Sequence, residues 1–165
     1  GVLNSTTKVV IAAMHRGLTM QQGIEEAQQM GIAEADASYD IDGWDSAAKT
    51  AALANVLMDA QVTPESVDRR GIRDLTPEAV RALAERRKTV CLVSRAWQTE
   101  CGIELKVAPE ELADTELLAT LQGTSNLLLL HTDLMGTVGT VSISPGVEQT
   151  AYGVFSDVVD IARSI

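Results

Sequence analysis

The chain has little of several features that define common protein classes. Its 165 residues include only 2 cysteines and 2 histidines, and these show neither metal-ligand spacing nor the framework of a secreted disulfide protein. No uninterrupted apolar run approaches the roughly 20 residues that a membrane-spanning helix requires. Basic residues are also scarce, since 13 lysines and arginines oppose 23 aspartates and glutamates. A net charge of −10 repels nucleic acid and anionic membranes, so we expect neither as a partner.

The signature motifs of several enzyme classes are also missing. The sequence contains no G-x-G-x-x-G after a predicted strand, no P-loop, no H-E-x-x-H and no G-x-S-x-G. Its start has no basic region followed by an apolar core, so we expect no signal peptide and a cytoplasmic location. Because the chain begins with Gly1 rather than methionine, we expect residues to be missing upstream. With 45% apolar residues, the length suffices for one soluble domain with a real core.

The hydrophobic pattern divides the chain into helices, then strands, then a helix. Helical patterns occupy residues 7–17, 19–31, 43–60 and 77–87. Strand patterns follow at 89–97, 103–108, 125–133 and 137–144, before an amphipathic helix at 149–165. This order predicts an α+β fold with helices followed by a mostly antiparallel sheet and a C-terminal helix. Cys91 and Cys101 are predicted to be small buried residues of strands. The segment 127–130 is apolar on both faces, so its strand is either central or covered by a partner.

The segment 31–49 contains the residues that suggest chemistry. Glu34, Asp36 and Asp40 lie on a predicted acidic loop that spans 32–42, and Asp45 and Lys49 are one helical turn apart. Taken alone, the last two residues form a surface ion pair worth about 0.3–0.5 kcal/mol. However, carboxylates this close repel one another unless cations lie among them, and Lys49 and the ammonium of an amino acid are two such cations. The pattern therefore indicates an amino-acid site that can also move a proton, provided that the fold brings these residues together.

Other candidate sites are less specific. An EF-hand register through Asp40 and Asp42 would put Lys49 at the position of the bidentate glutamate, so we exclude calcium and expect no metal. His15 and His131 have no second ligand at metal spacing, and we predict structural roles for both. The basic cluster at 86–88 either binds phosphate or is a solvated helix end, and we favour the solvated end.

The acidic segment resembles the substrate-site signature of homoserine dehydrogenases. The matching residues read Glu34-Ala-Asp36, three residues, Asp40, two residues, Gly43-Trp44-Asp45, three residues and Lys49. Segments 1–7, 70–76 and 145–157 are also similar to this family, in the same order along the chain. The resemblance therefore covers essentially all of the sequence.

This resemblance implies the catalytic, substrate-binding and dimerisation domain of an oxidoreductase. Members of the family interconvert L-homoserine and L-aspartate 4-semialdehyde with NAD or NADP, in the biosynthesis of threonine and methionine. A Rossmann domain precedes this region in the family, so we expect residues 1–165 to form the other domain, part of a cytoplasmic homodimer. We also expect this chain alone to lack turnover.

The resemblance assigns a role to each matching residue. Lys49 is the residue that exchanges a proton with the substrate oxygen, and Asp45 positions it. The substrate-binding acids are Glu34, Asp40 and Asp36. Pro145 and Gly146 lie in the loop that closes next to the cofactor.

Two alternative functions follow from a departure in the closing loop. Val147 and Glu148 stand where the family usually has small residues, and they could crowd or repel the cofactor. The first alternative is a related dehydrogenase for another amino or hydroxy acid. The second is a non-catalytic paralogue that serves as a binding or dimerisation module.

Overall fold

The computed structural model describes residues 1–164 and confirms the predicted α+β class. The helices are α1 (Ser5–His15), α2 (Met20–Gln29), α3 (Ser38–Ile41), α4 (Trp44–Met58), α5 (Pro77–Ala84) and α6 (Val147–Ser164), with a 3-10 helix at Pro64–Ser66. The strands are β1 (Asp68–Arg69), β2 (Lys88–Thr99), β3 (Gly102–Ala113), β4 (Asn126–Thr132) and β5 (Gly136–Ser142). The predicted end of the last helix, residue 165, lies outside the described residues.

Short-range hydrogen bonds set where the helices begin. Thr19 caps α2 through its side chain, which accepts from the Gln22 N–H at 3.2 Å, and Gln22 Oε1 accepts in return from the Thr19 N–H at 2.9 Å. This is a capping box. Thr76 caps α5 in front of a proline at the first helical position. Asn4 caps α1, since its Oδ1 accepts from Thr7 N–H.

The strands form two sheets, whereas the sequence predicts one. β2 and β3 make a twelve-pair antiparallel hairpin with β1 parallel to β3, and β4 and β5 form a separate antiparallel pair. Turns over residues 114–125 separate β3 from β4. The start of the chain links the two sheets. The Gly1 carbonyl accepts from the Ser94 N–H of β2 at 2.8 Å, and Val2 and Leu127 of β4 exchange backbone hydrogen bonds of 2.9 and 3.1 Å. The fold is therefore a helix-covered hairpin with a second, small sheet attached to it.

The hairpin is buried on both faces near its open end. Val90 and Leu92 point into the cluster formed with α1, α4 and α5, whereas Cys91 and Val93 point into a smaller cluster with Val2. Successive side chains of a strand point to opposite faces, which explains how four consecutive residues are all buried. The main cluster also contains the fully buried side chains Met14, Ile41, Ile72, Val80 and Val107. The acidic segment therefore rests on the largest part of the core.

Two local predictions are wrong. The segment 32–42 is not entirely loop, because α3 forms within it and Asp40 is helical. Cys91 is buried as predicted, but Cys101 is exposed because it occupies the two-residue turn between β2 and β3. The turn bends at Gly102, where φ is +126°, and its two residues project away from the sheet.

The C-terminal helix α6 has no buried residue. Its exposed apolar side chains are Val147, Tyr152, Val154, Phe155, Val158 and Ile161. No helix within residues 1–164 is long and apolar enough to cross a membrane.

Candidate active site

Three of the predicted site residues meet around one buried asparagine. Asn4 Nδ2 donates to Asp40 Oδ1 at 2.5 Å and to Asp45 Oδ2 at 2.8 Å. The same Asp45 oxygen accepts from Lys49 Nζ at 2.7 Å. Asp40, Asn4, Asp45 and Lys49 thus form a continuous chain of hydrogen bonds, which we call the site network.

The side chain of Lys49 is also held by the backbone. Its Nζ donates to the Leu3 carbonyl at 3.1 Å, in addition to its bond with Asp45. The Lys49 side chain remains 49% exposed and that of Asp45 27% exposed. The ammonium is therefore fixed in place yet accessible to a small molecule that approaches from solvent.

The turn between α3 and α4 positions the carboxylates of Asp40 and Asp45. Gly43 adopts φ +81° between the two helices, a left-handed conformation that glycine takes without strain. The guanidinium group of Arg69 stacks on the ring of Trp44, the residue after Gly43, with its carbon 3.8 Å from the ring centre. Arg69 also donates a hydrogen bond to the Asp42 carbonyl. Arg73 donates to both carboxylate oxygens of Asp42 at 2.7 and 2.9 Å. This bidentate pair lowers the pKa of Asp42 and raises that of Arg73.

The other two predicted substrate acids do not join the site network. Asp36 Oδ1 accepts from the Ser38 N–H at 2.9 Å at the start of α3, and this bond lowers the pKa of the Asp36 carboxyl. Glu34 is exposed, and its backbone carbonyl accepts from Gln28 Nε2 at 2.9 Å. The substrate-binding roles of Glu34 and Asp36 stay predictions.

The closing loop is tied to the first turn of α1 through residues 124 and 125. Ser5 Oγ donates to the Thr124 carbonyl at 2.9 Å, and Lys8 Nζ donates to the Ser125 carbonyl. Partial burial lowers the pKa of Lys8. In turn, Thr124 Oγ1 donates to the Pro145 carbonyl at 3.0 Å, and Ser125 Oγ accepts from the N–H of residue 144. The loop with the predicted cofactor residues is therefore attached to the segment that contains Asn4.

The cofactor-binding roles of Pro145 and Gly146 in this loop stay predictions. The Gly146 N–H is already bonded to Gln149 Oε1 at 2.8 Å. A Cβ on Gly146 would lie 2.8 Å from a carboxylate oxygen of Glu148, so that negative charge borders the loop.

An apolar cavity of about 300 Å³ lies next to the site network, since Leu3 and Thr50 are among its lining residues. It is bounded by α4, β2 and β4, with Leu57, Trp97 and Leu129 among its lining side chains.

His131 at the edge of this cavity hydrogen-bonds to Thr137 across the small sheet, and the His15 ring hydrogen-bonds to the Thr89 hydroxyl. Each histidine thus has a hydrogen-bond partner that joins two structural elements.

Asn4, the centre of the site network, is not among the residues that the sequence pattern predicts for the site. Its partners lie 36 and 41 positions away along the chain. The available signal was the position of Asn4 in a segment similar to the same family as the acidic motif.

Comparison with known proteins shows the family of this chain. The family model for homoserine dehydrogenase matches residues 1–159. The chain belongs to the homoserine dehydrogenase family. It is 34% identical, over 99% of its length, to the homoserine dehydrogenase of Methanocaldococcus jannaschii. It is 31% identical, over 99% of its length, to an NAD(+)-dependent homoserine dehydrogenase of Pseudomonas canavaninivorans.

A solved homoserine dehydrogenase has the same fold. The enzyme from Thiobacillus denitrificans superimposes on 97% of the chain with a TM-score of 0.85 and 33% sequence identity. The match covers 37% of that structure, 48% of the M. jannaschii homoserine dehydrogenase and 47% of the P. canavaninivorans one. The chain therefore spans about half the length, or less, of these family members.

Proposed function

We propose that this chain is the substrate-binding, catalytic and dimerisation region of a homoserine dehydrogenase. The proposed reaction interconverts L-homoserine and L-aspartate 4-semialdehyde with NAD or NADP, in the cytoplasm, for threonine and methionine biosynthesis. The observation that carries the proposal is the site network, in which Asp40, Asp45 and Lys49 are joined in a member of this family.

The residues of the site network suit an amino acid with a hydroxyl group. Asp40 is half-buried, and its carboxylate is proposed to bind the substrate ammonium, with Glu34 as a second acid at the exposed rim. Oxidation of an alcohol requires its hydroxyl to lose a proton, and a side chain within hydrogen-bond reach must accept it. Lys49 is proposed to exchange that proton, and Asp45 to keep its amine in place through the 2.7 Å bond.

The cofactor is proposed to bind mainly to a part of the enzyme outside these 165 residues. The closing loop offers little to phosphate groups, because the Gly146 N–H is occupied and Glu148 is acidic. The greater length of the matched family members is consistent with a separate nucleotide-binding segment.

The first test is homoserine-dependent reduction of NAD and NADP by the complete natural polypeptide that contains this chain. We expect Lys49→Ala to lower activity by about 100-fold or more, the range for loss of a general acid–base group. Lys106→Ala, at an exposed lysine of β3, is the matched control and should retain activity. Unchanged activity in Lys49→Ala would remove this lysine from the mechanism and leave the reaction standing.

A second candidate function is a binding module without turnover, which the acidic closing loop favours. The same assay separates the two functions when it is combined with calorimetric titration of L-homoserine. Homoserine binding without reduction of either cofactor would favour the module. Reduction with a different amino or hydroxy acid from a substrate panel would favour a related dehydrogenase.

We also propose that the chain forms a homodimer through the small sheet β4–β5. A two-stranded sheet is marginally stable on its own in water, and this one exposes large apolar side chains. Val141 is 49% exposed, and Ile143, just after β5, is 80% exposed. Sedimentation equilibrium measures the mass, and a monomer at all concentrations would contradict the proposal.

A further inference from the structure

Asn4 is the most constrained polar residue of the site network. Its side chain is buried, with the residue only 2% exposed. The carbonyl oxygen of its amide accepts from the Thr7 N–H at 2.8 Å. Because only an oxygen can accept this bond, the amide nitrogen must face Asp40 and Asp45, which fixes the orientation of the side chain.

A primary amide is suited to hold two carboxylates at one point. Its nitrogen has two protons, one for Asp40 at 2.5 Å and one for Asp45 at 2.8 Å. The two carboxylates would otherwise repel each other. An asparagine holds them together without adding a positive charge, so their negative charge remains available to Lys49 and to a substrate ammonium.

The adjacent residue completes the arrangement. The Leu3 carbonyl accepts from Lys49 Nζ at 3.1 Å, so two consecutive residues contact the carboxylates and the amine. Asn4 is also the N-cap of α1, and the helix therefore sets its position. Movement of this segment would displace the binding acid and the proton-transfer pair together.

We propose that Asn4 is a positioning residue that sets the distance between the substrate-binding carboxylate of Asp40 and the Asp45–Lys49 pair. This inference rests on the proposed function. An asparagine that only capped α1 would be replaceable by serine, because serine is an equally good N-cap. Serine has a single hydroxyl proton and cannot donate to both carboxylates.

The test is therefore Asn4→Ser in the complete natural polypeptide. We expect kcat with L-homoserine to fall about 10- to 100-fold, the range for loss of a hydrogen bond to a charged group. KM for homoserine should rise as well, because Asp40 loses its donor. The thermal midpoint should fall modestly, because the cap is kept while the hydrogen bonds to the two carboxylates are lost.

The matched control is Asn55→Ser. The amide of Asn55 also accepts from a backbone N–H and donates to a backbone carbonyl, both of Val62, but contacts no carboxylate. We expect wild-type kcat and KM in this variant. In an Asp45→Asn background, Asn4→Ser should lower kcat less than about threefold, because its effect on kcat acts through Asp45.

The kinetics of the two serine variants decide whether Asn4 positions the carboxylates or only caps α1. Wild-type kcat and KM in Asn4→Ser, or an equal loss in Asn55→Ser, would overturn the positioning role and leave the proposed function intact. No homoserine oxidation by the unmodified protein would overturn the proposed function and with it this role. If Asn4→Ser does not fold, Asn4→Gly replaces it, since glycine is tolerated at the N-cap but has no side-chain donor. We expect at least as large a loss of kcat, and wild-type kinetics would again overturn the role.

Discussion

Gly71 packs against the backbone of α3, so a substitution there tests whether this packing positions Asp40 in the site network. A Cβ on this residue would lie 2.1 Å from the Ile41 carbonyl oxygen and 2.5 Å from the Asp42 Cα. Ordinary contact begins at 3.4 Å, so Gly71→Ala must move this backbone by about 1.3 Å. Asp40 directly precedes the displaced peptide, and the substitution therefore shifts one end of the site network.

The cost of this displacement has two parts. Overpacking a well-filled site costs about 1–3 kcal/mol. The Ile41 carbonyl also accepts from the Ile72 N–H at 2.8 Å, and loss of this bond adds about 1 kcal/mol. For a chain of this size, a total of about 2–4 kcal/mol corresponds to a fall in the thermal midpoint of about 5–15 °C. A misplacement of about 1 Å at the site network should lower kcat about 100-fold.

Circular dichroism melting and steady-state kinetics measure the two effects of Gly71→Ala. Gly153→Ala is the matched control, because Gly153 lies in α6 and, apart from its own helix, no heavy atom of the described residues lies within 4 Å of the added Cβ. That control should raise stability by up to about 1 kcal/mol through helix propensity. A Gly71→Ala protein with an unchanged midpoint and unchanged kcat would refute the argument that this contact positions Asp40.

Two further predictions concern acid stability and assembly. Hydrogen bonds from Arg73 and Arg95 lower the pKa values of Asp42 and Glu110, respectively. Both pairs therefore stabilise the fold above the unfolded-state pKa values of about 4, and this contribution is lost as the pH falls through the lowered folded-state values. We expect the thermal midpoint to fall as the pH is lowered from about 5 to about 2.5. The midpoint of Arg73→Ala should depend less on pH, and equal slopes in the two proteins would contradict this prediction. Val141→Glu, on β5, should shift sedimentation from dimer to monomer, whereas an unchanged dimer would exclude this strand from the interface.

Features that depend on nearby residues were predictable from the sequence. The capping box of Thr19 and Gln22, the Thr76–Pro77 helix start and the one-turn spacing of Asp45 and Lys49 all involve groups within four positions. The periodic patterns likewise predicted most of the helices and strands, because a helix or strand repeats one local geometry. The family motif predicts the candidate chemistry in the segment 34–49, and the match to residues 1–159 confirms the family itself.

Only the tertiary structure decided which of the acids meet. Asp40 and Asp45 converge on Asn4, whereas Asp36, equally close in sequence, accepts from the Ser38 N–H instead. The division into two sheets and the exposure of Cys101 also depend on how distant segments pack. A sequence pattern specifies the contacts that one helix or strand makes within itself. Contacts across 36 or 41 positions exist only after the core between α1, α3 and α4 has formed, because packing alone determines which side chains then lie within hydrogen-bond distance.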